Sequence, residues 1–100
     1  MTPKDRILNR QVTLLKAMGH PSRLWILQTL RKGERCVGDL QAGLEQDIST
    51  VSRHLLVLRN AGLVRIEKRG LYVYYQLRCS SLDPFFHALS ELHAEPRKGL

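Results

Sequence analysis

Thiols are nearly missing from this chain: of its 100 residues only Cys36 and Cys79 are cysteines, too few for the bridged scaffold of a small secreted domain. No apolar run approaches the roughly 20 residues that span a bilayer. The opening "MTPKDRILNR" also has no hydrophobic stretch of the kind a secretory signal carries. These absences predict a cytoplasmic protein with no membrane partner, whose two thiols are held reduced. Catalytic signatures are missing as well, since no phosphate-binding glycine loop, G-x-S-x-G or H-E-x-x-H occurs. A chain this short buries one modest core, so a large concave active site would have to form between subunits, and the chain reads as no enzyme. Pairing Asp39 with Glu45 or Asp47 is explained more simply by helix capping and a solvated face. Acidic residues are also scarce, with nine Asp and Glu against sixteen Lys and Arg for a net charge of +7.

The positive charge is uneven. Residues 49–78 carry Arg53, Arg59, Arg65, Lys68, Arg69 and Arg78 against Glu67 alone, a net of +5, and a polyanion is the natural partner of such a stretch. Hydrophobic spacing predicts five helices and two strands, with "ERCV" as a short third strand, in one domain covering 1–100 with frayed tails at 1–4 and 96–100. The first helix runs from Asp5 to about Met18. Its apolar residues, among them Ile7, Leu8, Val12 and Leu15, cover more of the circumference than one packing face needs. Pro21 opens a second helix ending near Lys32, apolar at Leu24, Trp25, Ile26, Leu27 and Leu30 and therefore the central core helix.

"VGDLQAGL" is a brief third helix, and Asp47 caps a fourth from Ile48 to Asn60, with Gly62 just past its end where a left-handed residue is wanted. Two helices joined by about four residues form a helix-turn-helix. On the fourth helix Ile48, Val51, Leu55 and Leu58 line one face, with Ser49, Arg53 and Asn60 opposite and Ser52 at the edge. A small, polar, cationic face suits a major groove, where hydroxyls bond phosphates or base edges and arginine bonds guanine in bidentate fashion. Two alternating strands follow, joined through Lys68, Arg69 and Gly70 as a basic tip of the kind that clamps phosphates or enters the minor groove. The DNA-contacting set is Ser49, Thr50, Ser52, Arg53 and His54 on the helix with Lys68, Arg69 and Tyr72 on the hairpin. A solvated face on a protein-interaction module and an RNA-binding winged domain are the alternatives; the absence of an aromatic stacking platform weighs against RNA.

"LKAMGHPSRLWILQTL", "ERCVGDL", "STVSRHLLVLRNAGLV" and "RGLYVYYQL" resemble the successive blocks of the ArsR/SmtB winged-helix repressors, bacterial regulators named for arsenic and metal sensors. The resemblance implies a mainly α fold with a small β-hairpin, a winged helix-turn-helix of five helices and a two- or three-stranded wing. It also implies a homodimer built from the first and last helices, which binds a two-fold symmetric operator on double-stranded DNA and represses transcription until an inducer binds. The last helix supports the dimer independently, because Asp83 caps it, Pro84 takes its first position, and Phe85, Leu89 and Leu92 share a face with Phe86 beside it. The interface set is Leu8, Val12, Leu15, Phe85, Phe86, Leu89 and Leu92, with a place in the core as the alternative for Phe85 and Phe86.

The inducer is the open part. Arsenic sensors of that family often read C-V-C-D-L where this chain reads Cys36-Val37-Gly38-Asp39-Leu40, so the second thiolate is missing. If "ERCV" pairs with the second wing strand as in winged domains, Cys36 and Cys79 become neighbours and a candidate site for arsenite or a soft metal ion. A redox- or persulfide-responsive thiol and an inducer-independent regulator are the alternatives. Zinc sensors of the family carry Asp and His ligands on the last helix at a spacing unlike Asp83, His87 and His93. His20 stands where the family often has an acidic residue and reads as a structural helix-junction histidine.

Overall fold

The computed structural model describes residues 1–79 and 82–94. Within them the chain runs α1 (Pro3–Met18), α2 (Pro21–Leu30), β1 (Arg35–Cys36), α3 (Val37–Leu44), α4 (Ile48–Asn60), β2 (Val64–Arg69), β3 (Tyr72–Leu77) and α5 (Asp83–His93). The tail expected at 96–100 lies outside the described residues. At the other end, Pro3 and Lys4 are helical where a frayed start was expected. The Thr2 hydroxyl accepts the Asp5 N–H and the Asp5 carboxylate accepts the Thr2 N–H, both at 3.2 Å, a reciprocal cap that satisfies two orphan donors. α2 stops at Leu30 rather than near Lys32, because the N–H groups of Lys32 and Gly33 turn back onto Thr29 and Leu30.

The core joins Ile26, Leu27 and Leu30 of α2 to Leu40 of α3, Val51, Leu55 and Leu58 of α4, and Leu63 and Val64 entering β2. Each fully buried aliphatic side chain there contributes about 1.5–3 kcal/mol. α2 is central as expected, although Trp25 stays partly exposed and lies across α3. A Cβ at Gly43 would come within 2.3 Å of its ring, so Gly43 sets how closely the two helices approach. Ile48, expected in the buried stripe of α4, is 47% exposed; it opens the first turn, beyond the reach of the core that receives Val51 and Leu55.

The three strands are antiparallel in the order β1-β3-β2. Register pairs Val64 with Leu77, Ile66 with Tyr75 and Lys68 with Val73 on the core-side face. Arg65 with Gln76, Glu67 with Tyr74 and Arg69 with Tyr72 share the outer face. Lys68 and Arg69 are therefore strand residues, not the tip. The reversal falls on Gly70, whose φ of +62° meets the left-handed requirement of a tight hairpin, and on Leu71, which is 99% exposed. This is a five-helix, three-stranded winged helix-turn-helix among the described residues.

α5 differs from expectation at two residues. Asp83 is its first helical residue, not its cap, and its carboxylate reaches the Arg31 guanidinium at 2.7 Å. Phe86, expected at a subunit interface, is 1% exposed in the single chain. It packs edge-on to Phe85 at 5.9 Å between ring centres and lies under Arg31 at 5.5 Å, so the core accommodates an aromatic that the sequence left without a home. We expect Phe86→Ala to lower the unfolding free energy by about 3–5 kcal/mol in urea titrations, whereas Leu92→Ala, on a fully solvated part of α5, should leave the protomer's fold intact by circular dichroism.

Candidate nucleic-acid interface

The turn between α3 and α4 is tight enough to force Glu45 into the left-handed region at φ 56°, a conformation that is costly for a residue with a Cβ. Asp47 then caps α4. Its Oδ1 accepts the Thr50 N–H at 2.7 Å and the Ser49 hydroxyl at 2.9 Å, and these two donors, the backbone one first, hold its carboxyl below the usual range. With Val51, Leu55 and Leu58 buried, Ser49, Ser52, Arg53 and Asn60 face outward and Thr50 is half-buried at the edge. The first two turns present the polar cationic face that spacing predicts, and Arg59 and Asn60 are exposed at the far end of the helix. Between these, Leu56 and Val57 are exposed as well.

His54 is not on that outer face. It is half-buried, with Nδ1 3.3 Å from Nη1 of Arg23 and its ring 4.4 Å from that of His20. Burial pushes its pKa down, and the charges of His20, Arg23 and Arg53 add to the effect. Arg23 was missed from the sequence because an arginine inside an apolar helix gives no sign of what it will reach across the fold.

The hairpin differs most from a simple basic clamp. On its outer face the Arg69 guanidinium forms a fork with both carboxylate oxygens of Glu34, bonds Glu67 at 2.7 Å and lies 4.6 Å from the centre of the Tyr74 ring. Gln76 Nε2 bonds the same two carboxylates at 2.9 and 2.8 Å, and Arg65 donates to Gln76 Oε1 at 2.9 Å. Arg69 is the leading cause of the lowered pKa of both Glu34 and Glu67, and they in turn hold it firmly protonated. Two arginines and two carboxylates thus cancel on this face. Lys68 projects from the other face, and Tyr72 stands exposed beside the turn. Glu34 was also missed, although the pairing of Arg35 with Tyr75 places it beside Gln76 once β1 is known to exist.

The apolar residues expected at a subunit contact divide into three groups. Leu8, Val12 and Leu15 are exposed along α1, with Ile7, and Leu92 is exposed on α5. Phe85 and Leu89 are half-buried against the core, and Phe86 is inside it. A groove lined by Leu14, Leu15, Met18, Leu63, Leu82 and Phe85 runs between the two helices.

The expected pairing of Cys36 with Cys79 does not occur. β1 does pair with β3, but Cys36 faces Tyr74. Cys79 lies five residues further on, on the order of 15 Å away at about 3.3 Å per strand residue, when a disulfide needs Cα atoms within about 7 Å. Asp83, His87 and His93 do not converge either: Asp83 is held by Arg31, and His87 Nε2 is 3.1 Å from Glu91. Among the described residues no group of three or more His, Cys, Asp or Glu is placed to hold a metal ion, and no helix is long and apolar enough to cross a membrane.

Comparison with known proteins agrees with this architecture. Residues 20–65, from the cap of α2 into β2, match the family described as "Bacterial regulatory protein, arsR family". The chain is 36% identical over 87 residues to the biofilm growth-associated repressor of Agrobacterium fabrum, an alignment covering 87% of this chain and 74% of that protein. It is 37% identical over 86 residues to the transcriptional activator HlyU of Vibrio cholerae, covering 86% and 80%. The structure of reduced HlyU superposes with a TM-score of 0.79 at 34% identity, over 95% of this chain and all of that one. A homodimeric winged helix-turn-helix DNA-binding domain, Mb0332 of Mycobacterium bovis, superposes with a TM-score of 0.84 at 26% identity, over 95% and 91%. The chain belongs to the arsR family of bacterial regulatory proteins: it is a DNA-binding transcriptional regulator on a winged helix-turn-helix fold, and not an enzyme.

Proposed function

We propose that the protein is a cytoplasmic homodimeric repressor, one winged domain per chain, that binds a two-fold symmetric operator with α4 in the major groove and the hairpin against the backbone. The observation that carries this reading is the outward face of the first two turns of α4, with Ser49, Ser52 and Arg53 exposed above a buried stripe. The N-terminal turns of a recognition helix are the part that meets base edges. In this reading Arg53 reads a base, while Ser49, Thr50, Ser52, Lys68 and Tyr72 contact phosphate or groove edges. Arg69 and His54 act through the geometry they hold, because the guanidinium of Arg69 is engaged by two carboxylates and His54 points inward. The row Ile7, Leu8, Val12 and Leu15 supports pairing through α1, as an apolar surface left solvated in one chain is what a second copy would cover.

For the inducer, the strand register favours chemistry at one thiol. Arsenite and soft metals are best held by several thiolates, and Cys79 cannot supply one to Cys36 within the chain. Cys36 ends β1 and its N–H caps α3 through the Asp39 carboxylate at 3.4 Å. A reagent that modifies this thiol, such as an oxidised sulfur species, would act at the joint between wing and helix pair.

Arg53→Ala should weaken operator binding by about 1–3 kcal/mol and relax sequence preference in fluorescence anisotropy; unchanged affinity at moderate salt would remove the recognition-helix assignment. Lys68→Gln should reduce the slope of log affinity against log salt by about 0.9, while Arg69→Gln should change that slope much less. Leu8→Glu should convert a sedimenting dimer to a folded monomer, since this side chain lies outside the protomer's core; a monomeric parent would refute symmetric operator binding. Cys36→Ser should keep operator affinity and abolish DNA release by oxidised sulfur species, and release that persists in the variant contradicts sensing at this thiol.

A further inference from the structure

Three basic side chains meet where the end of α1, the start of α2 and the middle of α4 come together. Arg23 of α2 donates from Nε to the Ala17 carbonyl and from Nη2 to the Lys16 carbonyl at 3.3 Å, both in the last turn of α1, and its Nη1 points at His54 Nδ1 of α4. His20 caps α2 by accepting the Ser22 N–H at Nδ1, 3.1 Å, and its ring packs on that of His54. The Ser22 hydroxyl in turn accepts from Gln46 Nε2 at 2.9 Å, in the turn that leads into α4.

The protonation states follow from elementary chemistry. A guanidinium and a backbone N–H donate and never accept. Both Nδ1 atoms therefore act as acceptors in this packing, and a proton on His54 Nδ1 removes the acceptor that Arg23 faces. The titratable and charged groups around His54 are His20 at the cap of α2, Arg23 of α2 and Arg53 of α4, while α1 contributes backbone carbonyls.

We propose that Arg23, His54 and His20 are positioning residues that fix α4 against α1, and that protonation of His54 releases this junction and costs the protein its discrimination between operator and other DNA. The proposal rests on the reading of α4 as the recognition helix. Through Arg23, α4 is tied to the helix whose outer face we assign to the subunit contact, so a loosened junction lets the two reading helices of a dimer drift from their common spacing. Binding to the DNA-competent form then falls as pH drops. The folded-state pKa of His54 lies below its ordinary value near 6.5, so the loosened or unfolded chain takes up the proton first. The stabilisation is present above that value and is lost as pH falls from it toward the folded-state pKa. Charge alone predicts the opposite, because added protons strengthen binding to any duplex.

The test compares a duplex selected by the parent protein from a random library with a mixed-sequence duplex of equal length, at about pH 7.5 and about pH 5.5, either side of the ordinary histidine value. The ratio of the two affinities should fall roughly tenfold for the parent, within the range of typical couplings. It should stay nearly level in His54→Asn, whose amide oxygen replaces the Nδ1 acceptor and takes up no proton in this range. Parallel profiles for parent and variant overturn the proposal. Binding of the parent to neither duplex overturns the recognition-helix reading instead. The junction is then judged without DNA, by following the His54 ring and Arg23 guanidinium nitrogens in an NMR pH titration: a shared midpoint supports the proposal, and an Arg23 signal indifferent to His54 overturns it.

Discussion

The packing of one face of α4 onto α2 is the constraint on which the rest of the molecule depends. Val51, Leu55 and Leu58 are withdrawn from water against Ile26, Leu27 and Leu30, and burial of that size fixes the rotation of α4 about its own axis. Once that rotation is fixed, Ser49, Ser52 and Arg53 have only one direction to face. The exposed side chains of α4 contribute little to their own placement. It follows from the apolar residues beneath them, from the Asp47 cap that starts the helix and from Gly62, whose positive φ ends it.

A two-residue strand joins the helix pair to the hairpin. β1 pairs through Arg35 and Cys36 with β3, and the next residue is already in α3, so the wing and the helix-turn-helix share a hinge of almost no length. The Glu34 carboxylate strengthens this joint through Arg69 and Gln76. A single exposed ion pair is worth little, but a forked arginine shared between two carboxylates and stacked on Tyr74 restricts three strands together. The wing therefore keeps its angle to α4 through polar contacts on one face and Val64, Tyr75 and Leu77 on the other.

This arrangement also changes what the net charge means. Counting along residues 49–78 suggests six cations available to a polyanion, yet Arg69 is neutralised by Glu34 and Glu67, with Glu34 coming from outside the stretch. Arg23, also outside it, bonds carbonyls and a histidine rather than solvent. Charge density in sequence shows that a polyanion is favoured; which cations can meet it is decided by the partners that folding brings near them.

Much of the fold was legible in the sequence because its signals are local. Helical spacing located α3 and α4 to the residue, Asp47 and Gly62 marked the ends of α4, and strand alternation gave the two faces of the hairpin, since periodicity, capping and turn chemistry act over a few residues. Helix ends and the hairpin tip missed by a residue or two, while the larger failures involve distant groups. Phe86 was assigned to an interface because nothing local shows how large a core the helices enclose. Ile48 fitted the apolar stripe but lies past the end of the core, and Asp83 looked like a cap but is the first residue of α5, paired with Arg31 just beyond α2. Cys36 and Cys79 were paired by assuming that β1 lies beside β3, which is true, but only the register shows them to be far apart. The local pattern of apolar residues determined which elements form, whereas the meetings of Arg69 with Glu34 and Arg23 with His54 were decided by tertiary packing, because a side chain's partner across 30 or more residues depends on register and helix rotation that no short stretch of sequence contains.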